Sequence, residues 1–264
     1  MMVLIRGAGD LASGIALRLH RAHFNVVMTD ISRPTTLRRT VSFSSAISRG
    51  QCAVEGARGV LVRNADEALA VALSGDIAVI VDPDALILRN MAFDALVDAI
   101  MARRNTGTNI SDAPVVVCLG PGFTAGVDCH AVVETLRGHC LGRVITRGSA
   151  APATGSPGNI GGYTHERLLR APDNGLFEQL LDIGACVKKG DVVGTVNGKP
   201  LICRIDGILR GVLSSGVPVH RGMKSGDVDP RCEIEHCFTV SDKALAVGGG
   251  VLEAILHFGG PRRR

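Results

Sequence analysis

Apolar positions in this chain of 264 residues follow two patterns. Over residues 1–150, short continuous apolar runs alternate with stretches of helical period, whereas from 181 onward the runs shorten and sit between glycine turns. Continuous runs suit parallel strands covered on both faces, and the helical stretches suit the crossovers between them. Val3-Leu4-Ile5, Asn25 to Thr29, Val60-Leu61-Val62, Ile77 to Val81 and Val115 to Leu119 read as strands. Leu11 to Leu19, Ala65 to Leu73, Met91 to Met101 and Cys129 to Leu136 read as helices, and Pro34 can open another. Val144-Ile145 closes this part. The pattern predicts an α/β domain on a parallel sheet.

The first connection carries the most chemistry. After Val3-Leu4-Ile5 the glycines fall as Gly7-x-Gly9-x-x-Ala12, the G-x-G-x-x-G/A spacing of a dinucleotide-binding turn. Gly7 allows a sharp turn, Gly9 lets a pyrophosphate approach the backbone, and Ala12 and Gly14 let the helix sit close to the strand. The helix that starts at Asp10 then offers free N–H groups to a phosphate. Asp30 ends the second strand about twenty residues later, where the ribose-binding acid of such sites sits. The same glycines also serve as plain packing in a domain of Rossmann type.

Other strand ends add candidates. Asp82, after Ile77 to Val81, is a ligand residue or the cap of the next turn. Gly120 and Gly122 form a second glycine loop after Val115 to Leu119, with Asp128 placed to cap the helix expected at Cys129. Gly248 and Gly249 belong to a triglycine read as opening a last helix, which makes an anion site or a close helix contact. Arg33, Arg38 and Arg39 lie near the expected ligand edge. Cys118 lies there too, and a buried structural thiol is the favoured reading over a sulfur or selenium carrier.

The remainder divides into a connecting loop and helix over 151–180, a β-rich segment over 181–240, and a helix over 241–258 that packs back on the first domain. Asp182 to Val196, Lys199 to Leu213 and Gly216 to Gly222 resemble a biotinyl/lipoyl-type barrel-sandwich, with Asp206-Gly207 as a hairpin turn. Lys199 is followed by Pro200, so neither covalent biotin nor lipoate is expected. Cys232-Glu233-Ile234-Glu235-His236-Cys237 matches no closed zinc pattern, and no metal is expected.

Composition narrows the classes. Hydrophobic residues make up 46% and aromatics 3%, which suits small side chains at close backbone contacts. The net charge is +4, with Arg262-Arg263-Arg264 read as a solvated tail, and no basic stripe with interleaved aromatics points to nucleic acid. No apolar run resembles a signal peptide or a membrane span. Eight irregularly spaced cysteines read as reduced thiols, and a cytoplasmic location is expected.

Several stretches together resemble the YqeB-type accessory proteins of selenium-dependent molybdenum hydroxylases. They are Arg6 to Gly14, Val81-Asp82-Pro83, Leu119 to Phe123, Glu134 to His139, Lys224 to Arg231 and Ser241 to Leu256. The resemblance implies a role in maturing a molybdenum hydroxylase, with that enzyme as client, and handling of a molybdopterin-type cofactor or its labile selenium. It carries over no catalytic residues. Two other functions fit the residues: an NAD-dependent oxidoreductase with His139 or His165 as proton donor, and a non-catalytic docking module.

Overall fold

A computed structural model describes residues 1–260; the arginine tail lies outside the described residues. The chain divides into two compact units. The first holds Met1–Ser32, Phe43–Thr154 and the chain from Val240 on; the second holds Arg33–Ser42 and Gly155–Thr239.

The first unit is built on a nine-stranded sheet. Its strands are β1 (Met2–Arg6), β2 (Asn25–Asp30), β3 (Gln51–Val54), β4 (Ala57–Val62), β5 (Ile77–Val81), β6 (Ala95–Asp98), β7 (Val115–Leu119), β8 (Ala131–Val133) and β9 (Val144–Ile145). The order is β3-β4-β5-β2-β1-β6-β7-β8-β9. From β4 across the sheet to β8 neighbouring strands run parallel, while β3 on β4 and β9 on β8 are antiparallel edges. From β1 the chain places β2 beside it, then β3 and β4 at the edge with β5 returning between β4 and β2, and then crosses to β6 and β7 on the other side. The order therefore reverses between β1 and β6, where open sheets of this kind leave a crevice at the carboxyl edge. Val3, Leu4 and Ile5 are all fully buried, as a strand covered on both faces requires.

The helices are α1 (Asp10–Arg21), α2 (Ser45–Arg49), α3 (Ala65–Leu73) and α4 (Asp242–Gly259). α3 packs on the face formed by Leu4, Val27, Ala78, Leu96 and Val116. α4 packs on α1 and on β6 to β9. α4 starts at Ser241, whose hydroxyl accepts the Ala244 N–H, so the triglycine lies in its middle and not at its start.

The second unit consists of two antiparallel four-stranded sheets. β10 (Leu168–Arg170), β17 (Lys224–Asp229), β15 (Gly207–Val212) and β12 (Cys186–Val187) make one, in that order. β14 (Lys199–Ile202), β13 (Val192–Val196), β11 (Gly175–Gln179) and β16 (Pro218–Val219) make the other. Phe177, Val193, Leu209, Val212 and Val228 form its core.

The fold expected from sequence is corrected in both parts. The first sheet is mixed, not a purely parallel Rossmann-like sheet, because β3 and β9 add antiparallel edges. The second unit shows two antiparallel sheets and no biotinyl/lipoyl-like domain. Glycine spacings such as G-x-x-V-x-x-G mark turns between short strands and are common to many antiparallel arrangements. Asp206-Gly207 joins strands of different sheets; the hairpin turn is Asn197-Gly198, both at positive φ, between β13 and β14.

Four helix expectations also fail. The segment 151–180 contains the strands β10 and β11 and no helix. Met91 to Met101 contains β6 and Cys129 to Leu136 contains β8, both buried along their length. A four-residue strand buried on both faces has no period to tell it from a helix. Pro34 opens no helix; only a short 3-10 turn, Arg39–Val41, comes after it.

Candidate functional site

The glycine turn and the strand-end acid meet directly. Gly7, at φ +99°, turns the chain out of β1, and its N–H donates to Thr29 O at 2.8 Å. A Cβ there would stand 3.0 Å from Ala99 O. The next N–H, of Ala8, donates to Asp30 Oδ2 at 2.9 Å, and Ile31 N–H donates to Asp30 Oδ1 at 2.7 Å. Each oxygen keeps a second lone pair for a hydroxyl donor. Burial pushes the Asp30 carboxyl above its ordinary range, and the Ile31 and Ala8 N–H bonds act against that rise.

Gly9 is the N-cap of α1, at φ −74° in extended backbone, and provides no side-chain cap. No side chain caps this end, and the first turn of any helix has N–H groups that lack an intrahelical acceptor. Asp10 begins the helix, and Ala12 is buried beneath it. Lys243, in the first turn of α4, makes no hydrogen bond or ion pair within the described residues. Burial lowers its pKa and the charge of Arg137 adds to this, while Asp10, Glu134 and Asp242 oppose it. Lys243 thus places a half-buried ammonium near Asp10, at the start of α1.

The other strand-end acids hold loops. Asp82 accepts the Leu86 N–H at 2.9 Å and the Ile87 N–H at 2.8 Å, so it caps the 3-10 turn Leu86–Arg89. Glu134 accepts the N–H groups of Thr135, Leu136 and Ala151. Asp128 accepts the Thr124 N–H at 2.7 Å, in a loop and not at a helix start. Asp98 accepts the Thr108 hydroxyl at 2.6 Å, and that hydroxyl accepts from Arg6 at 2.5 Å. Arg6 and Asp98 are 3.6 Å apart and almost wholly buried at the point where the strand order reverses.

Gly7, Gly9, Asp10, Ala12 and Asp30 thus come together, with Asp82 one strand beyond. Gly120 and Gly122 lie just after β7. A Cβ on Gly120 would strike Thr135 Oγ1 at 2.5 Å, and one on Gly122, at φ +110°, would strike the Arg104 backbone at 2.6 Å. They serve close packing of loops. Gly248 packs on α1, where a Cβ would stand 3.2 Å from Gly14 O, while a Cβ on Gly249 meets nothing.

Cys118 is buried at the end of β7. The hydrogen-bonded thiol of Cys129 and burial both push its pKa far up, and a thiol held protonated is a poor nucleophile. Sequence reading missed Lys243 and the Arg6–Asp98–Thr108 cluster. Arg6, a charge ending an apolar strand, was the visible signal for the second.

No family model matches the chain. Over 97% of its length it is 47% identical to a protein of Escherichia coli (strain K12) named "Uncharacterized protein YqeB". The chain is similar to YqeB. It spans only 47% of that relative's length.

Among solved structures, an aspartoacylase family protein from Mesorhizobium loti aligns over 86% of this chain and 83% of its own, at 15% identity and a TM-score of 0.26. A succinylglutamate desuccinylase/aspartoacylase from Rhodobacter sphaeroides aligns over 85% and 86%, at 16% identity and a TM-score of 0.24. Likenesses this low carry no chemistry across. No helix among the described residues is long and apolar enough to cross a membrane.

Proposed function

We propose that this protein binds a dinucleotide-like ligand, with its pyrophosphate at the start of α1 and a ribose hydroxyl on Asp30. NAD and the nucleotide form of molybdopterin share that chemistry. We further propose that binding serves the maturation of a molybdenum hydroxylase, selenium-dependent in the role that YqeB-type accessory proteins suggest, with that enzyme as the client. The observation that carries the ligand reading is the 2.9 Å hydrogen bond from Ala8 N–H to Asp30. It puts the acid against the glycine turn, beside a helix start without a side-chain cap. Lys243 supports it as the nearby cation.

Thermal unfolding with NAD, ATP, CTP and extracted molybdopterin tests this. A ligand held only by the folded protein, at about a hundred times its Kd, adds about 2.7 kcal/mol. A pyrophosphate-bearing compound is expected to raise the midpoint. Asp30→Ala is expected to abolish the rise for NAD. No rise with any compound at millimolar concentration contradicts the proposal.

A further inference from the structure

A cleft of about 510 Å³ opens at the carboxyl ends of β4 and β5, with Asn64, Ile80, Val81, Asp82, Leu86 and Asn90 in its wall. It is fully formed by the first unit. Its apolar part is open to water: Val81, at the end of β5, is 42% exposed and Leu86, in the 3-10 turn that follows, 49%. Val81 and Leu86 thus offer two aliphatic faces in a wall that is otherwise largely polar.

The rim is made of amides. Asn64 spends its carbonyl on the Glu67 N–H at 2.9 Å, and its NH₂ donates to no described residue. The Asn90 side chain makes no hydrogen bond to a described residue either. Arg63, the cation of the wall, is bound to Glu67 at 2.7 Å, and Asp66 and Asp82 disfavour an anion. Two aliphatic faces among amide donors and acceptors, with no net attraction for negative charge, suit a neutral heteroaromatic ring, which has both flat apolar faces and a hydrogen-bonding edge.

The cleft also lies in the right place. Val81 is the ladder partner of Asp30, and the Asp82 N–H donates to Asp30 O at 3.1 Å. Neighbouring strands are about 4.8 Å apart, so a ribose on Asp30 stands one strand from the cleft. We infer that the cleft binds the base of a nucleotide, stacking it on Val81 and Leu86 and reading its edge with Asn64 and Asn90. This rests on the proposed binding of a pyrophosphate-bearing ligand at the glycine turn, whose phosphates it leaves on α1.

The chain has no tryptophan and one tyrosine, so the emission of ethenoadenosine diphosphate reports binding with little background. Inorganic pyrophosphate, added as competitor, reports the phosphate end alone. In the double variant Leu86→Ser/Asn90→Ala, both changes being at exposed positions, the fluorescent nucleotide is expected to bind roughly tenfold more weakly. Pyrophosphate is expected to keep its wild-type affinity. Unchanged nucleotide affinity in a folded variant overturns the inference and leaves the glycine-turn reading standing. Failure of both probes to bind the wild-type protein overturns both.

Discussion

Asp98→Ala is expected to lower the opening free energy of β1 and β6 by about 3–5 kcal/mol, the usual cost of removing one partner from a buried charge pair. Asp98 is 1% exposed and Arg6 4%. The Arg6 guanidinium would keep Thr108 Oγ1 and the carbonyls of Pro83 and Thr106 but lose its counter-charge. Thr108 would lose its acceptor, which frees the loop after β6. Amide hydrogen exchange on peptides from the two strands measures the change. Replacing both partners, as Arg6→Met/Asp98→Leu, is expected to recover most of the loss, because no uncompensated charge then remains in the core. If the single variant exchanges like wild type, the pair does not organise this end of the sheet.

The second large effect separates two adjacent glycines. Alanine is favoured over glycine inside a helix by about 1 kcal/mol. At Gly249 a Cβ meets nothing, so Gly249→Ala is expected to stabilise by about 0.5–1 kcal/mol. At Gly250 a Cβ would stand 2.2 Å from Gly142 O and 2.8 Å from Val133 Cγ1. Neither a backbone carbonyl nor a strand can move far, and overpacking of this kind costs about 1–3 kcal/mol or more. Gly250→Ala is therefore expected to destabilise by about 2 kcal/mol despite its better propensity. Urea midpoints of the two variants should move in opposite directions. Movement in the same direction would mean that α4 does not sit against the 142 turn.

Local pattern conveys some of these elements and hides others. β1, α1 and β2 were legible because apolar period, glycine spacing and the terminal Asp30 all agree. β6 and β8 were not, since strands of four and three residues buried on every side look like pieces of helix. Propensity argued against a helix running through Gly248-Gly249-Gly250. Close approach to Gly14 and Gly142 explains why two of those residues lack side chains, and such distant partners are invisible in a local window. Asn197-Gly198 was a readable hairpin signal that Asp206-Gly207 obscured. At the site, the acid and the glycine turn were legible but their hydrogen bond was not. Nor was the role of Asp82, whose two oxygens hold the next turn.

The most direct test of ligand binding at the turn is calorimetric titration of NAD and inorganic pyrophosphate into wild type and Gly9→Val. Gly9 sits at φ −74°, a backbone conformation open to any residue, so the variant meets no backbone strain while its side chain blocks the approach of a pyrophosphate, and its unfolding midpoint checks that it is folded. The expected result is binding by wild type and its loss, by roughly tenfold or more, in the variant. Equal affinity in the two proteins, or no heat from either ligand with wild type, would contradict a pyrophosphate site at the start of α1.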